Sequence, residues 1–191
     1  MLKIKCFIFN PVAENTYIVW DDESLECAVI DAGCYSTEEK KELQEYIERE
    51  NLKVKYLLAT HLHFDHFDET AIRILPKTLP VFVQDEVDAA TLLGYGFQDV
   101  RILKFGGVKF NGVQLFKTGC HHGIPGRAEN VYEAINIRGE ACGAVFRHPE
   151  ERTLYLAGDT IWCDYVAEAI RQHQPDVIVV NAAEATIETC G

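Results

Sequence analysis

Apolar and polar residues come in short alternating runs over the first thirty positions, then shift to helical spacing. Residues 2–9 and 16–20 read as strands, and 27–31 as a third that ends in Asp31-Ala32-Gly33. Ser36 and Glu39 stand three apart as a capping box, each side chain satisfying a backbone N–H at a helix start. Behind them, residues 37–51 carry Leu43, Tyr46 and Ile47 at helical spacing with charges elsewhere. A strand over 54–60 then runs straight into a histidine-rich string. The pattern next predicts a short helix over 68–75 stopped by Pro76, a strand over 79–84, and a helix over 85–93 ended by Gly94. Residues 100–137 read mostly as short strands with glycine-containing turns. Residues 144–147 and 153–157 form a hairpin around His148-Pro149-Glu150. A helix over 162–173 and a buried strand over 176–181 follow. Grouped strands with helices set between the groups suit an α+β arrangement of layered, helix-covered sheets better than a regular βαβ repeat.

The 191 residues suit a single domain over 1–191 with one sizeable core. An apolar share of 48% and a charged share of 25% place it among ordinary globular chains. The net charge of −12 repels phosphate backbones, so no nucleic-acid partner is expected and a small-molecule substrate is. The longest apolar runs, such as Val177 to Val180, are too short to span a bilayer, and no membrane partner is expected. The opening M-L-K-I-K-C-F-I-F-N lacks the apolar core and small-residue cleavage site of a signal peptide. Seven cysteines (Cys6, Cys27, Cys34, Cys120, Cys142, Cys163 and Cys190) are scattered, with no C-x-x-C pair. They predict no disulfide framework and fit a reducing cytoplasm. Most read as small buried hydrophobes, but Cys120 adjoins a candidate ligand.

The string that follows the strand over 54–60 is Thr60-His61-Leu62-His63-Phe64-Asp65-His66. In an extended stretch residues i and i+2 point the same way, so His61 and His63 can approach one metal ion while Leu62 faces the core. A turn after His63 would aim Asp65 and His66 at an adjacent site. Imidazole nitrogen and carboxylate oxygen suit zinc and similar divalent ions, and the lack of thiolate weakens a zinc-finger reading. Three histidines and one aspartate within six positions are expected by chance in well under ~1 in 1,000 chains. Two later clusters could complete the site. Thr118-Gly119-Cys120-His121-His122-Gly123 follows a strand and offers two candidate histidines. Leu156-Ala157-Gly158-Asp159-Thr160 ends another with a carboxylate able to bridge two metals. Taken alone, Asp159 reads equally well as the N-cap of a helix beginning near Ile161.

These strings together resemble the metallo-β-lactamase superfamily. H-L-H-F-D-H looks like its H-x-H-x-D-H signature, and V-I-D-A-G over 29–33 like its early strand. T-G-C-H-H-G and A-G-D-T resemble its third and fourth motifs. The resemblance covers essentially the whole chain and implies a four-layered αβ/βα sandwich. It implies that His61 and His63 bind a first metal with a histidine of the 121–122 pair. His122 is favoured because it precedes Gly123. Asp65 and His66 would bind a second metal, Asp159 would bridge, and Asp31 would support the ligands from behind. Residues 1–66 resemble small glyoxalase II-like thioester hydrolases through N-T-Y-I-V and L-L-A-T-H-L-H-F-D-H. Residues 67–191 look closer to relatives of the ascorbate-6-phosphate lactonases through F-D-E-T-A-I-R-I-L-P and L-Y-L-A-G-D-T-I-W. That division motivates the hypothesis of a hybrid chain. The superfamily pattern normally adds further strand, helix and a last histidine after the segment matching 176–181. No histidine follows His173, so the fold reads as shortened at its C-terminus and the second metal site as short of a ligand. His173 and His148 read as a solvated helix end and a turn.

The activity implied is hydrolysis of a small ester, thioester or lactone through a metal-bound hydroxide. The metal would be zinc, one or two ions, with manganese or iron as alternatives. Asp65 and Asp159 would be the catalytic carboxylates, orienting the nucleophile and managing its proton. No G-x-S-x-G, Walker or dinucleotide string offers a competing chemistry. The second reading is a catalytically silent metal-binding scaffold or interaction domain of the same fold. An exposed sheet edge would favour a homodimer in either case. A di-iron redox site fits less well, since His63 stands where iron-binding members carry glutamate.

Overall fold

Two sheets carry the fold, one in each of the two units into which the chain divides, Met1–Ile102 and Leu103–Gly191. The computed structural model describes residues 1–63, 66–67, 72, 75–124 and 140–181.

In the first unit the strands lie side by side in chain order. They are β1 (Leu2–Phe9), β2 (Glu14–Asp21), β3 (Glu26–Ile30), β4 (Lys53–Leu58), β5 (Val81–Val83) and β6 (Val100–Ile102). β1, β2 and β3 pair antiparallel. From β3 to β6 the pairing is parallel. Parallel neighbours need crossovers, and helices α1 (Thr37–Arg49) and α2 (Glu86–Gly94) supply two of them. A βαβ succession therefore sits inside the α+β frame.

The predicted capping box is present. Glu39 N donates to Ser36 Oγ at 3.1 Å and Ser36 N to Glu39 Oε2 at 2.8 Å. At the start of α2, Asp85 Oδ1 accepts the N–H groups of Val87 and Asp88, each at 3.0 Å. Leu43 of α1 and Ala89 and Leu92 of α2 pack into one core with Ile18, Val29, Leu57, Val81 and Val83 of the sheet. Both faces of the central strands are buried, for Ile30, Leu58 and Phe82 are also covered. Residues 27–30, 56–58 and 81–83 are correspondingly unbroken apolar runs.

In the second unit the sheet runs β11-β10-β9-β8-β7. Its strands are β7 (Val108–Phe110), β8 (Val113–Thr118), β9 (Gly143–Arg147), β10 (Leu154–Leu156) and β11 (Val177–Val179). The expected hairpin pairs β9 with β10 antiparallel, and only β11 runs parallel to its neighbour. Helix α3 (Asp164–His173) lays Val166 and Ala169 on Phe116, Val145 and Tyr155.

Several expectations change. The helix expected from residue 162 begins at Asp164 with Cys163 as its N-cap, so Asp159 does not cap it. The last strand is a sheet edge among the described residues rather than a buried strand, and Ile178 is 41% exposed. His173 ends α3 as expected but is buried rather than solvated. The helix expected over 68–75 falls largely outside the described residues, as do residues 125–139 of the strand-rich stretch. Cys27, Cys34 and Cys142 are buried as expected, Cys6 is exposed, and Cys190 lies outside the described residues. No disulfide joins the described cysteines. No helix among the described residues is long and apolar enough to cross a membrane.

Candidate metal centre

Strand register assembles the first unit's part of the site. Tyr17 pairs with Ile30, and Ile30 with Leu58. Because β2 is antiparallel to β3, the start of β2 lies beside the ends of β3 and β4. Glu14, Asp31 and Thr60–His61 are thereby gathered at one end of the sheet, where parallel strands usually present functional groups.

Asp31 is the hub. Its backbone is left-handed, with φ of 49°, a conformation that aspartate tolerates better than most residues. Its N–H donates to Leu58 O at 2.9 Å. Its carboxylate accepts Thr60 N at Oδ1, 2.7 Å, and Thr60 Oγ1 at Oδ2, 2.8 Å. Thr60 has a single hydroxyl hydrogen, and it goes to Asp31. The contact of 3.0 Å between Thr60 Oγ1 and His61 Nδ1 must then be donated by the imidazole. His61 is thereby held as the Nδ1–H tautomer, with Nε2 as its ligand atom.

After His63 the chain turns, as the sequence leads one to expect. The N–H groups of His66 and Phe67 donate to His63 O at 3.0 and 2.9 Å. Ring centroids of His61 and His63 lie 4.3 Å apart, and those of His61 and His66 lie 4.0 Å apart. All three imidazoles are buried, and Leu62 packs against the core. The Nδ1 of His66 faces two carboxylates, Asp31 Oδ2 at 3.4 Å and Glu14 Oε1 at 3.6 Å. Glu14, Asp31 and His66 each offer an atom within 4.8 Å of the others. The sequence reading missed Glu14. Its signal was an acid in phase with Thr16 and Ile18 along a strand, a face that proves to be buried. Asp65 lies outside the described residues.

The second unit brings His122 and Asp159 together, with Nε2 and Oδ2 at 3.4 Å. Both lie beyond strand ends, as expected. Asn181 Nδ2 donates to Asp159 Oδ1 at 2.6 Å. Gly158 has φ of +70°, and a Cβ there would lie 2.6 Å from Cys142 O, so only glycine presents Asp159 in this way. His121 turns to local structure instead. Its N–H donates to Thr160 Oγ1 at 3.1 Å, its carbonyl accepts Ile161 N at 3.0 Å, and its ring lies 5.1 Å from that of Tyr165. Burial pushes the Cys120 thiol up to about 12, with the nearby Cys163 and Asp159 adding to the shift. A thiol so raised stays protonated at neutral pH.

Residues 9–67 match the model of the metallo-beta-lactamase superfamily. The UPF0173 protein YddR of Bacillus subtilis (strain 168) is 46% identical over 131 residues, 69% of this chain and 49% of that protein. The chain belongs to the metallo-β-lactamase superfamily. A UPF0173 metal-dependent hydrolase of Koribacter versatilis (strain Ellin345) is 34% identical over 117 residues, 60% of this chain and 48% of that protein. The chain spans about half the length of these curated relatives. Among solved structures, a possible metal-dependent hydrolase from Veillonella parvula DSM 2008 aligns with 98% of this chain and 74% of its own. It has a TM-score of 0.78 at 29% identity. An isothiocyanate hydrolase from Delia radicum gut bacteria has a TM-score of 0.78 at 26% identity, over 100% of this chain and 75% of its own. The α+β sandwich fold of the superfamily is therefore the fold of this chain, which is shorter than both neighbours.

Proposed function

We propose that this chain is a metal-dependent hydrolase that acts on a small carboxylic ester, thioester or lactone with zinc as its metal. One observation carries the reading: three buried imidazoles, of which His61 has its ligand nitrogen selected by the Asp31–Thr60 chain. Such tautomer control is what a neutral-imidazole metal site requires. In the first unit His61, His63, Asp65 and His66 offer nitrogen and carboxylate donors that suit a divalent ion, and in the second His122 and Asp159 offer donors of the same kinds. A bound ion supplies Lewis acidity and lowers the pKa of water from 15.7 to about 7. The chain's own part is to hold and to steer. Asp159, itself held by Asn181, accepts a proton from the attacking water or orients it. Asp65 would share that role. The relatives named metal-dependent hydrolases support the reaction class, and the net charge of −12 supports a small substrate over a polyanion.

The test is elemental analysis of the purified chain joined to a turnover panel of thioesters, lactones and aryl esters. An isothiocyanate belongs in that panel because one structural neighbour is described as an isothiocyanate hydrolase. Turnover that needs zinc, and that falls at least ~100-fold in His61→Ala, is the expected result. A folded, zinc-loaded chain no faster than His61→Ala on every substrate would instead make the domain a silent metal-binding scaffold.

A further inference from the structure

We infer that Glu14 is a positioning residue that orients His66, and the inference rests on the metal-site reading above. The Glu14 side chain is fully covered, and its carboxylate sits at the start of β2 beside the end of β3. A buried carboxylate is costly unless a partner favours its charge or its hydrogen bonds. Thr16 and His66 both lie near it. Thr16 Oγ1 lies 3.1 Å from Glu14 Oε2, but it also lies 2.6 Å from Asp31 O. The single hydroxyl hydrogen favours the shorter contact, which leaves Thr16 a weak anchor for Glu14. The His66 ring is also close, with its Nδ1 3.6 Å from Oε1.

That distance is too long for a hydrogen bond, yet in a buried site it is short for an electrostatic contact. Asp31 also faces Nδ1, at 3.4 Å, but both of its oxygens already accept hydrogen bonds from Thr60. Glu14 thus adds a second carboxyl group on the same edge of the ring. Two carboxylates at Nδ1 favour the Nδ1–H tautomer and turn Nε2 away from them, toward a metal. Asp31 and Thr60 do the same for His61 through a hydroxyl. Asp31 therefore serves both histidines, and Glu14 is assigned to His66 alone. It acts through His66, which makes it a positioning residue rather than a catalytic one.

Nitrogen NMR of His66 in the ¹⁵N-labelled chain, compared for wild type, Glu14→Gln and Glu14→Ala, tests the assignment. It is paired with zinc affinity measured by chelator competition. The wild type should carry its proton on Nδ1, and Glu14→Ala should shift that resonance and speed its exchange with water. Zinc affinity should fall about 10- to 100-fold in Glu14→Ala, with stoichiometry unchanged at saturating zinc. Glu14→Gln keeps an acceptor oxygen and nearly the same volume, so it should fall between the two and remain folded even if the alanine variant does not. A His66 resonance identical in wild type and Glu14→Gln, with equal zinc affinity, overturns the inference. Loss of a whole zinc equivalent at saturation overturns it too, because Glu14 would then be a ligand. The NMR arm is read without metal as well as with it. A wild type that takes up no zinc would sink the metal reading while the tautomer still judges Glu14.

Discussion

The two units present their candidate ligands by opposite means. In the first, His61 and His66 are backed by buried polar groups held in strand register, and Asp31 answers for several of them at once. In the second, the His122 and Asp159 side chains are 19% and 22% exposed, and they depend on a turn glycine and on one amide hydrogen bond. Buried networks lose heavily when one member is removed, because the remaining groups cannot turn to water. Partly exposed pairs keep some access to water, which softens the loss. The first unit thus holds its ligands in a buried network, and the second leaves its ligands partly open to solvent. Substitutions in the two should differ in kind as well as in size.

The largest effect is expected at Asp31. Asp31→Ala strands Thr60 N and Oγ1 in a buried site, and each lost hydrogen bond to a charged group is worth about 1.5–3 kcal/mol. The loss should appear in urea unfolding, together with weaker zinc binding. Asp31→Asn keeps one acceptor and should recover part of it. If Asp31→Ala costs no more than Asp159→Ala, the contrast between the units fails.

Gly158→Ala comes next. It puts a side chain at positive φ and drives a Cβ against Cys142 O, a mechanism worth about 1–3 kcal/mol or more. Asn181→Ala removes one partly exposed hydrogen bond to Asp159 and should cost about 0.5–1.5 kcal/mol. That ordering marks the second half-site as set by backbone conformation. An Asn181→Ala loss larger than that of Gly158→Ala would reverse it.

Why the first unit was the more legible follows from the same contrast. Its strands are short alternating or apolar runs, its first helix opens on Ser36 and Glu39, and H-L-H-F-D-H follows soon after β4. Each signal is local, and the predicted turn after His63 is there in the backbone hydrogen bonds. Glu14 was not legible because its meaning depends on Asp31 and His66, 17 and 52 positions further on, brought near by the pairing of β2 with β3 and of β3 with β4. In the second unit the strands and the hairpin were readable, but the helix start slipped from 162 to Asp164. Cys163 caps it through backbone geometry without a side-chain hydrogen bond, so no residue type announced the boundary. The exposure of β11 was unreadable for a further reason. Val177, Ile178 and Val179 are an apolar run, and whether such a run is central or at an edge is decided by its neighbours, not by its own composition.

The smallest expected effect separates two buried imidazoles. His66 faces two carboxylates, whereas His173 faces the ring of Phe116 at 4.7 Å and gives its carbonyl to Arg147 Nη2 at 3.0 Å. Burial first, and then the positive charge of Arg147, hold the His173 imidazole below its ordinary value of 6.5. In the unfolded chain that imidazole takes up a proton near 6.5, while in the folded chain it resists to lower pH. The unfolded state therefore binds more protons in the window just below 6.5. Stability contributed by neutral His173 is complete above that value and is lost as the pH falls through it, by at most about 1.4 kcal/mol per pH unit. Replacing the imidazole by an apolar group of similar reach removes the slope. Unfolding free energies measured between pH 7 and pH 5 should accordingly fall more steeply for the wild type than for His173→Leu. Parallel curves would mean that His173 is no more reluctant to take a proton than an imidazole in water. The contrast between an imidazole set among carboxylates and one set against a cation would then lose its second half.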